Sequence, residues 1–239
     1  MTKPFLPFGP SHLATFGLTF LLPLLLAAMT RGEARDQIAR VVSRAFAGVL
    51  IATWALWYWL ILSNGWISPE TILPLQLCDW AGFATIGALL ARNERSYELA
   101  YFWSLSGTLQ ALVTPALFYD FPDLRFIVFF AFHGGVIAAV LYLAFALKMR
   151  PRISSLPRVA AWSFAYLVVA LAANGIFHTN FGFLRAKPAS GSVLDLMAPW
   201  PYYIFELAGL GMIYLLLLYA PFFVAGILKE RKSLANTRA

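Results

Sequence analysis

Seven stretches of roughly 20 mostly apolar residues, each parted from the next by a short polar connection, constrain this chain more than any motif it carries. They run approximately over 11–30, 43–63, 73–91, 98–117, 124–147, 158–178 and 201–228. An α-helix rises about 1.5 Å per residue, so each stretch can cross a hydrocarbon core of about 30 Å. Composition agrees: 61% of the 239 residues are hydrophobic and 12% charged, against about 25% charged in a typical soluble chain. Such an excess of apolar surface has to face lipid. The sequence therefore predicts an all-α fold, a polytopic bundle of about seven transmembrane helices with residues 1–239 as one domain. Six is the competing count, reached if the fourth stretch, with Ser104, Ser106, Thr108, Gln110 and Thr114, is re-entrant or if the first lies on the surface. The first run is followed by Arg31 and no small-residue cleavage motif, so it reads as a retained span, not a signal peptide.

The basic residues orient the bundle. Of 18 Lys and Arg, 14 fall in alternate connections: Arg31 to Arg44, Arg92 and Arg95, Lys148 to Arg158, and a tail from Lys229. The other face holds only Lys3, Arg125, Arg185 and Lys187. The positive-inside rule then puts the N-terminus outside and the C-terminus in the cytoplasm of a multi-pass cell-membrane protein, a bacterial inner membrane being the expected location. The net charge of +7 is explained by this pattern, and no nucleic-acid partner is expected. Residues 229–239 read as a disordered, basic cytoplasmic tail.

Ionisable and strongly polar groups within spans are expensive and mark function. With this topology they gather in the outer half: Gln76, Cys78 and Asp79 at the start of span three, Gln110 on span four, His133 on span five, Asn174 and His178 at the end of span six, Glu206 at the start of span seven, and His12 on span one. The inner halves are almost entirely aliphatic or Phe. His133 lies nine residues into its span, roughly 13 Å deep, and must find a partner in protein or water. A lone cysteine is more often a small buried hydrophobe, but beside a deep histidine Cys78 becomes a nucleophile able to form an acyl thioester. The outer connection 179–200 carries Asn180, Arg185 and Lys187 beside Ser190 and Gly191, a set able to hold a lipid phosphate and cap the site. The Pro199-to-Tyr203 segment reads as an aromatic belt at the interface.

Leu73-Pro74-Leu75-Gln76-Leu77-Cys78 resembles the LPLHLC-type signature of the YwaF-like integral membrane proteins. A second match joins it: Asn180, Leu184, Lys187-Pro188, Ser192, Leu194-Asp195 and Pro199-Trp200-Pro201 resemble that family's N, L, KP, SxLD and PWP loop pattern. The resemblance implies kinship with the eukaryotic transmembrane protein 164 type phospholipid acyltransferase and, more distantly, with androgen-induced intramembrane lipid hydrolases. It implies that Cys78 is the nucleophile and His133 its histidine. Gln76 stands where the family often has histidine.

The reading that results is an intramembrane lipid acyltransferase or lipid ester hydrolase acting through Cys78 and His133 on membrane phospholipids. Gln76, Asp79, Gln110, Asn174, His178, Asn180, Lys187 and Glu206 are supporting or substrate-binding, with no cofactor and no metal. The alternatives are a small-solute transporter or sensor with an outward polar cavity and, with little support from spacing, a zinc hydrolase using His12, His133, His178 and Asp79. A retinal protein is disfavoured, because the last span has no lysine before Lys229.

Overall fold

In a computed structural model, residues 3–188 and 192–237 are described, with side chains as far as residue 228. Ser190 and Gly191, the expected loop donors, lie outside the described residues. The described chain is helical, with no strand. Helices α1 (Pro10–Met29) and α2 (Arg35–Asn64) are followed by a single turn, α3 (Pro69–Ile72), and by α4 (Leu77–Ala91). The next passage is composite, consisting of α5 (Glu94–Trp103), a π turn (Ser104–Thr108) and α6 (Leu109–Val113). Helices α7 (Leu124–Ala146), α8 (Ser155–Phe177) and α9 (Tyr203–Thr237) complete the bundle.

Among the described residues six helical segments are long and apolar enough to cross a membrane, and the more polar α5–π–α6 passage is not among them. Its contacts nevertheless carry it from one end of the bundle to the other. At its start Glu94 pairs with Arg152 (2.7 Å) and Glu98 with Arg158 (2.8 Å), both of which flank the beginning of α8. Near its finish the Leu112 carbonyl accepts from His12 Nε2 (2.9 Å), at the beginning of α1. The far end of α1 is at the opposite end of the bundle, where Thr30 meets the Tyr142 hydroxyl late in α7 (3.1 Å). The least apolar stretch thus serves as an interior passage, with Tyr97, Ala100, Phe102, Ser104 and Thr108 all buried. Helix α9 lies at the other extreme: between residues 203 and 228 only Tyr203 and Leu215 are buried.

Several ends differ from the sequence expectation. Helix α2 begins at Arg35, not near residue 43, because arginines can lie along the first turns and send their charges to water. The third span opens on an unwound segment: Leu73, which precedes Pro74, is extended (φ −80°, ψ 124°), as the clash between a proline ring and the preceding residue requires. Helix α9 continues to Thr237, through most of the tail expected to be disordered. The basic end is also less apolar than expected, since Glu98, only 3% exposed, is held by the Arg158 guanidinium.

The core is a single large cluster of α2, α4, α5 and α7 side chains, including Leu50, Ala88, Phe102, Phe132, Val136 and Tyr142. A smaller group joins α8 to the loop through Tyr166, Phe181 and Leu184. At the end away from the basic connections, here the loop end, the N-terminal segment lies against residues 118–120: Phe5 N–H donates to the Phe118 carbonyl and Asp120 N–H to the Lys3 carbonyl.

Candidate active site

The start of α4 is fixed by a reciprocal cap. Asp79 accepts from the Gln76 N–H (2.9 Å), and the Asp79 N–H donates to the Gln76 carbonyl in return (3.0 Å). This sets Cys78 in the first turn, where backbone N–H groups have no intrahelical acceptor. Gln76 does more: its Oε1 accepts from the N–H of Gly182 (3.0 Å), so the 179–200 loop is tied to the residue two before the cysteine. Gly182 has φ +64°, and a Cβ there would meet the Tyr166 hydroxyl at 2.7 Å, so backbone and space both require glycine.

Cys78 is half-buried and packs against the main core cluster. Thr108 of the π turn lies beside its thiol, and Tyr166 of α8 is in the same region. The hydroxyls of both are buried, and neither has a hydrogen-bond partner of ordinary geometry among the described residues. The π turn comes close to α4 because residue 107 is glycine; a Cβ there would fall 2.9 Å from the Leu77 side chain. Asp79 has Trp54 and Tyr58 of α2 as neighbours.

His133 is on α7, which packs, as α4 does, against the π turn. It shares its helix face with Val136 and Ile137, both fully buried, so the ring is directed into the bundle. The ring stacks on Phe129 (4.1 Å between centroids) and meets Phe132 edge-on (5.3 Å). Its Nδ1 lies 2.9 Å from the Phe129 carbonyl oxygen. A carbonyl can only accept, so Nδ1 carries the proton and the lone pair resides on Nε2.

The remaining sequence-predicted residues separate by role. Asn174 is fully engaged by the loop: it donates to the Phe181 carbonyl (3.0 Å) and accepts from Phe181 N–H (2.6 Å) and the Thr179 hydroxyl (3.0 Å). Asn180 accepts from the N–H groups of Arg185 and Ala186 and donates to the Ala186 carbonyl. Lys187 donates to the Met197 carbonyl (2.7 Å), and Glu206 accepts from Ala198 N–H (2.9 Å). These residues build the loop. Gln110 donates to the Tyr214 hydroxyl (2.8 Å), joining α6 to α9. His178 is an exposed left-handed C-cap of α8. His12 has both nitrogens engaged with backbone, and among the described residues no three His, Cys, Asp or Glu side chains gather as a metal site. Thr108, Trp54, Tyr58 and Tyr166 were missed by sequence reasoning; a Ser/Gly/Thr run within a span was the one available signal, for Thr108.

A sequence model of the TMEM164 family matches residues 7–219, which includes Cys78, His133 and the whole loop. The chain belongs to the TMEM164 family. No curated protein and no solved structure matches it. As a TMEM164-family member with six apolar helices of spanning length, it is a multi-pass membrane protein.

Proposed function

We propose that this TMEM164-family protein is a lipid acyltransferase or lipid ester hydrolase in which Cys78 is the nucleophile and His133 the general base. The observation that supports it is the state of His133: Nδ1 is committed to the Phe129 carbonyl, leaving the Nε2 lone pair available on a helix, α7, that packs, as α4 does, against the π turn. In this reading Nε2 takes the thiol proton and Sγ attacks the ester carbonyl carbon of a phospholipid. The resulting oxyanion is met by the first-turn N–H groups of Leu77 and Cys78 and by the otherwise unpartnered Thr108 hydroxyl. Collapse breaks the bond to the lipid alkoxide, which leaves with the proton held on Nε2, and an acyl thioester remains. A lipid hydroxyl or water, deprotonated by Nε2, then attacks the thioester and regenerates the thiol.

Gln76 and Asp79 act as positioning residues, the first by holding the loop and the second by capping α4. The clustering of basic residues at the far end supports a reaction centre in the outer half of the membrane, with the N-terminus outside. The test is acyl exchange in vesicles containing the purified protein and a phospholipid with a labelled acyl chain. The wild type is expected to form a hydroxylamine-sensitive acyl adduct and to exchange label. Cys78→Ala is expected to lose both while unfolding at the wild-type temperature. Exchange at the wild-type rate in Cys78→Ala refutes the mechanism.

A further inference from the structure

A cavity of about 490 Å³ opens at the basic end, between the end of α1, the start of α2 and the end of α7. Its volume is within the range of roughly 300–1,000 Å³ usual for small-molecule sites, and it is well away from Cys78 and His133. One part of its lining is apolar, with Leu24, Ala27 and Phe145; the other is cationic, with Arg31, Arg35 and Lys148. Glu33 and Asp36 are close in sequence but do not line it, and none of the three cations forms an ion pair among the described residues.

Charge at this end serves topology in any membrane protein, and Arg35 has a structural task as well, donating to the Ala146 carbonyl at the end of α7 (3.0 Å). Two features exceed those roles. The walls are turned inward by left-handed backbone at Gly32 (φ +71°) and at Lys148 (φ +58°), a conformation costly for lysine. Leu24 and Phe145 are 45% and 46% exposed, so the apolar side opens toward the acyl-chain region. A ligand that matches both halves has an anionic head and hydrocarbon chains.

We infer that this cavity is a binding site for the head group of an anionic phospholipid, its phosphate held by Arg31, Arg35 and Lys148 and its chains lying over Leu24 and Phe145. A basic recess between transmembrane helices is suited to such head groups. The site is at the opposite end from the acyl-transfer centre and does not depend on that reading.

The test is lipid retention by the full-length protein in phosphatidylcholine nanodiscs doped with phosphatidylglycerol, read by native mass spectrometry. Arg31→Gln/Lys148→Gln is expected to bind phosphatidylglycerol about 30-fold more weakly, at roughly a factor of five for each cation removed. Arg95→Gln/Arg150→Gln removes two exposed cations from the same end but outside the cavity, and is expected to change retention by less than about threefold. If the first double variant does not fold, Lys148→Gln alone is expected to show a loss of about fivefold. Equal losses from cavity and control variants reduce the effect to surface charge and overturn the proposal. Undiminished retention in the cavity variant overturns it too, as does displacement of the lipid from the wild type by excess inorganic phosphate, which would identify a site for a free anion.

Discussion

His12 and His133 lie on neighbouring helices, each in an aromatic setting, and their surroundings treat them in opposite ways. Around His12 the seam of α1, α6 and α7 is closed. Phe8 N–H donates to Nδ1, Nε2 donates to the Leu112 carbonyl, and the rings of Phe5, Phe8, Phe16 and Phe130 surround it with centroids 5.0–5.4 Å away. His133 keeps polar capacity in reserve, an Nε2 lone pair, and near Cys78 the hydroxyls of Thr108 and Tyr166 are likewise unpartnered among the described residues. A membrane interior normally satisfies its polar groups because each unmet one costs free energy. A closed histidine is therefore read as structure and an open one as chemistry.

The largest expected effect separates the two directly. His133→Gln removes the proposed base and is expected to slow acyl exchange by roughly 10²–10⁴-fold. Loss of its one hydrogen bond costs stability of about 1 kcal/mol. Rate measurements in vesicles and thermal unfolding in detergent check the two halves of that statement. A wild-type rate in His133→Gln would place this histidine in the same class as His12.

The next effect is at the basic end, where Arg158 bonds both oxygens of Glu98 through Nη2 and one of them through Nε. Arg158→Leu strands a carboxylate that is 3% exposed, at an expected cost of about 3 kcal/mol, the low end for buried pairs because the Arg158 side chain is 42% exposed. Glu98→Leu/Arg158→Leu is expected to regain most of that loss, since no lone charge remains. Comparison of the unfolding midpoints of the two variants decides it. His12→Ala comes third: it is expected to destabilise by about 2 kcal/mol, through unpaired Phe8 and Leu112 backbone groups and a void among four phenyl rings. Exchange per folded molecule should stay at the wild-type level.

The residues that were legible in the sequence are those whose role depends on their own neighbourhood along the chain. The break before α4, though Pro74 causes it, was not read, whereas span lengths and the alternation of basic connections were readable because lipid contact is a matter of local composition. Cys78 and His133 stood out for the same reason, being anomalous within otherwise apolar runs. Roles set by distant partners were not legible. Glu98 read as the edge of a span because Arg158 is 60 residues away, and Asn174 read only as a supporting or substrate-binding group because its bonds to the loop depend on the path of Thr179 and Phe181 beyond the helix. The π turn has no compositional mark beyond its small residues. Nothing in the string Ser-Leu-Ser-Gly-Thr separates a bulge from a continuous helix.

The smallest expected effect extends the comparison to a polar group that is fully satisfied but outside the membrane. Asp123 caps α7 by accepting from the Arg125 N–H (2.9 Å) and also receives that guanidinium in a two-point pair (2.8 and 2.7 Å). The arginine hydrogen bonds hold its carboxyl below the ordinary carboxylate range. A carboxylate whose pKa is lowered on folding binds protons more readily when unfolded, so its contribution is complete above the unfolded value and is lost as pH falls through the folded one. Acidification below the usual carboxylate range is thus the condition that removes it. Water reaches Arg125, and screening limits the pair to less than about 1 kcal/mol. Asp123→Asn should lower the unfolding midpoint slightly at neutral pH, with a difference from wild type that shrinks in acid. A difference that grows in acid would mean that the pair opposes the fold and that Asp123 acts only as a cap.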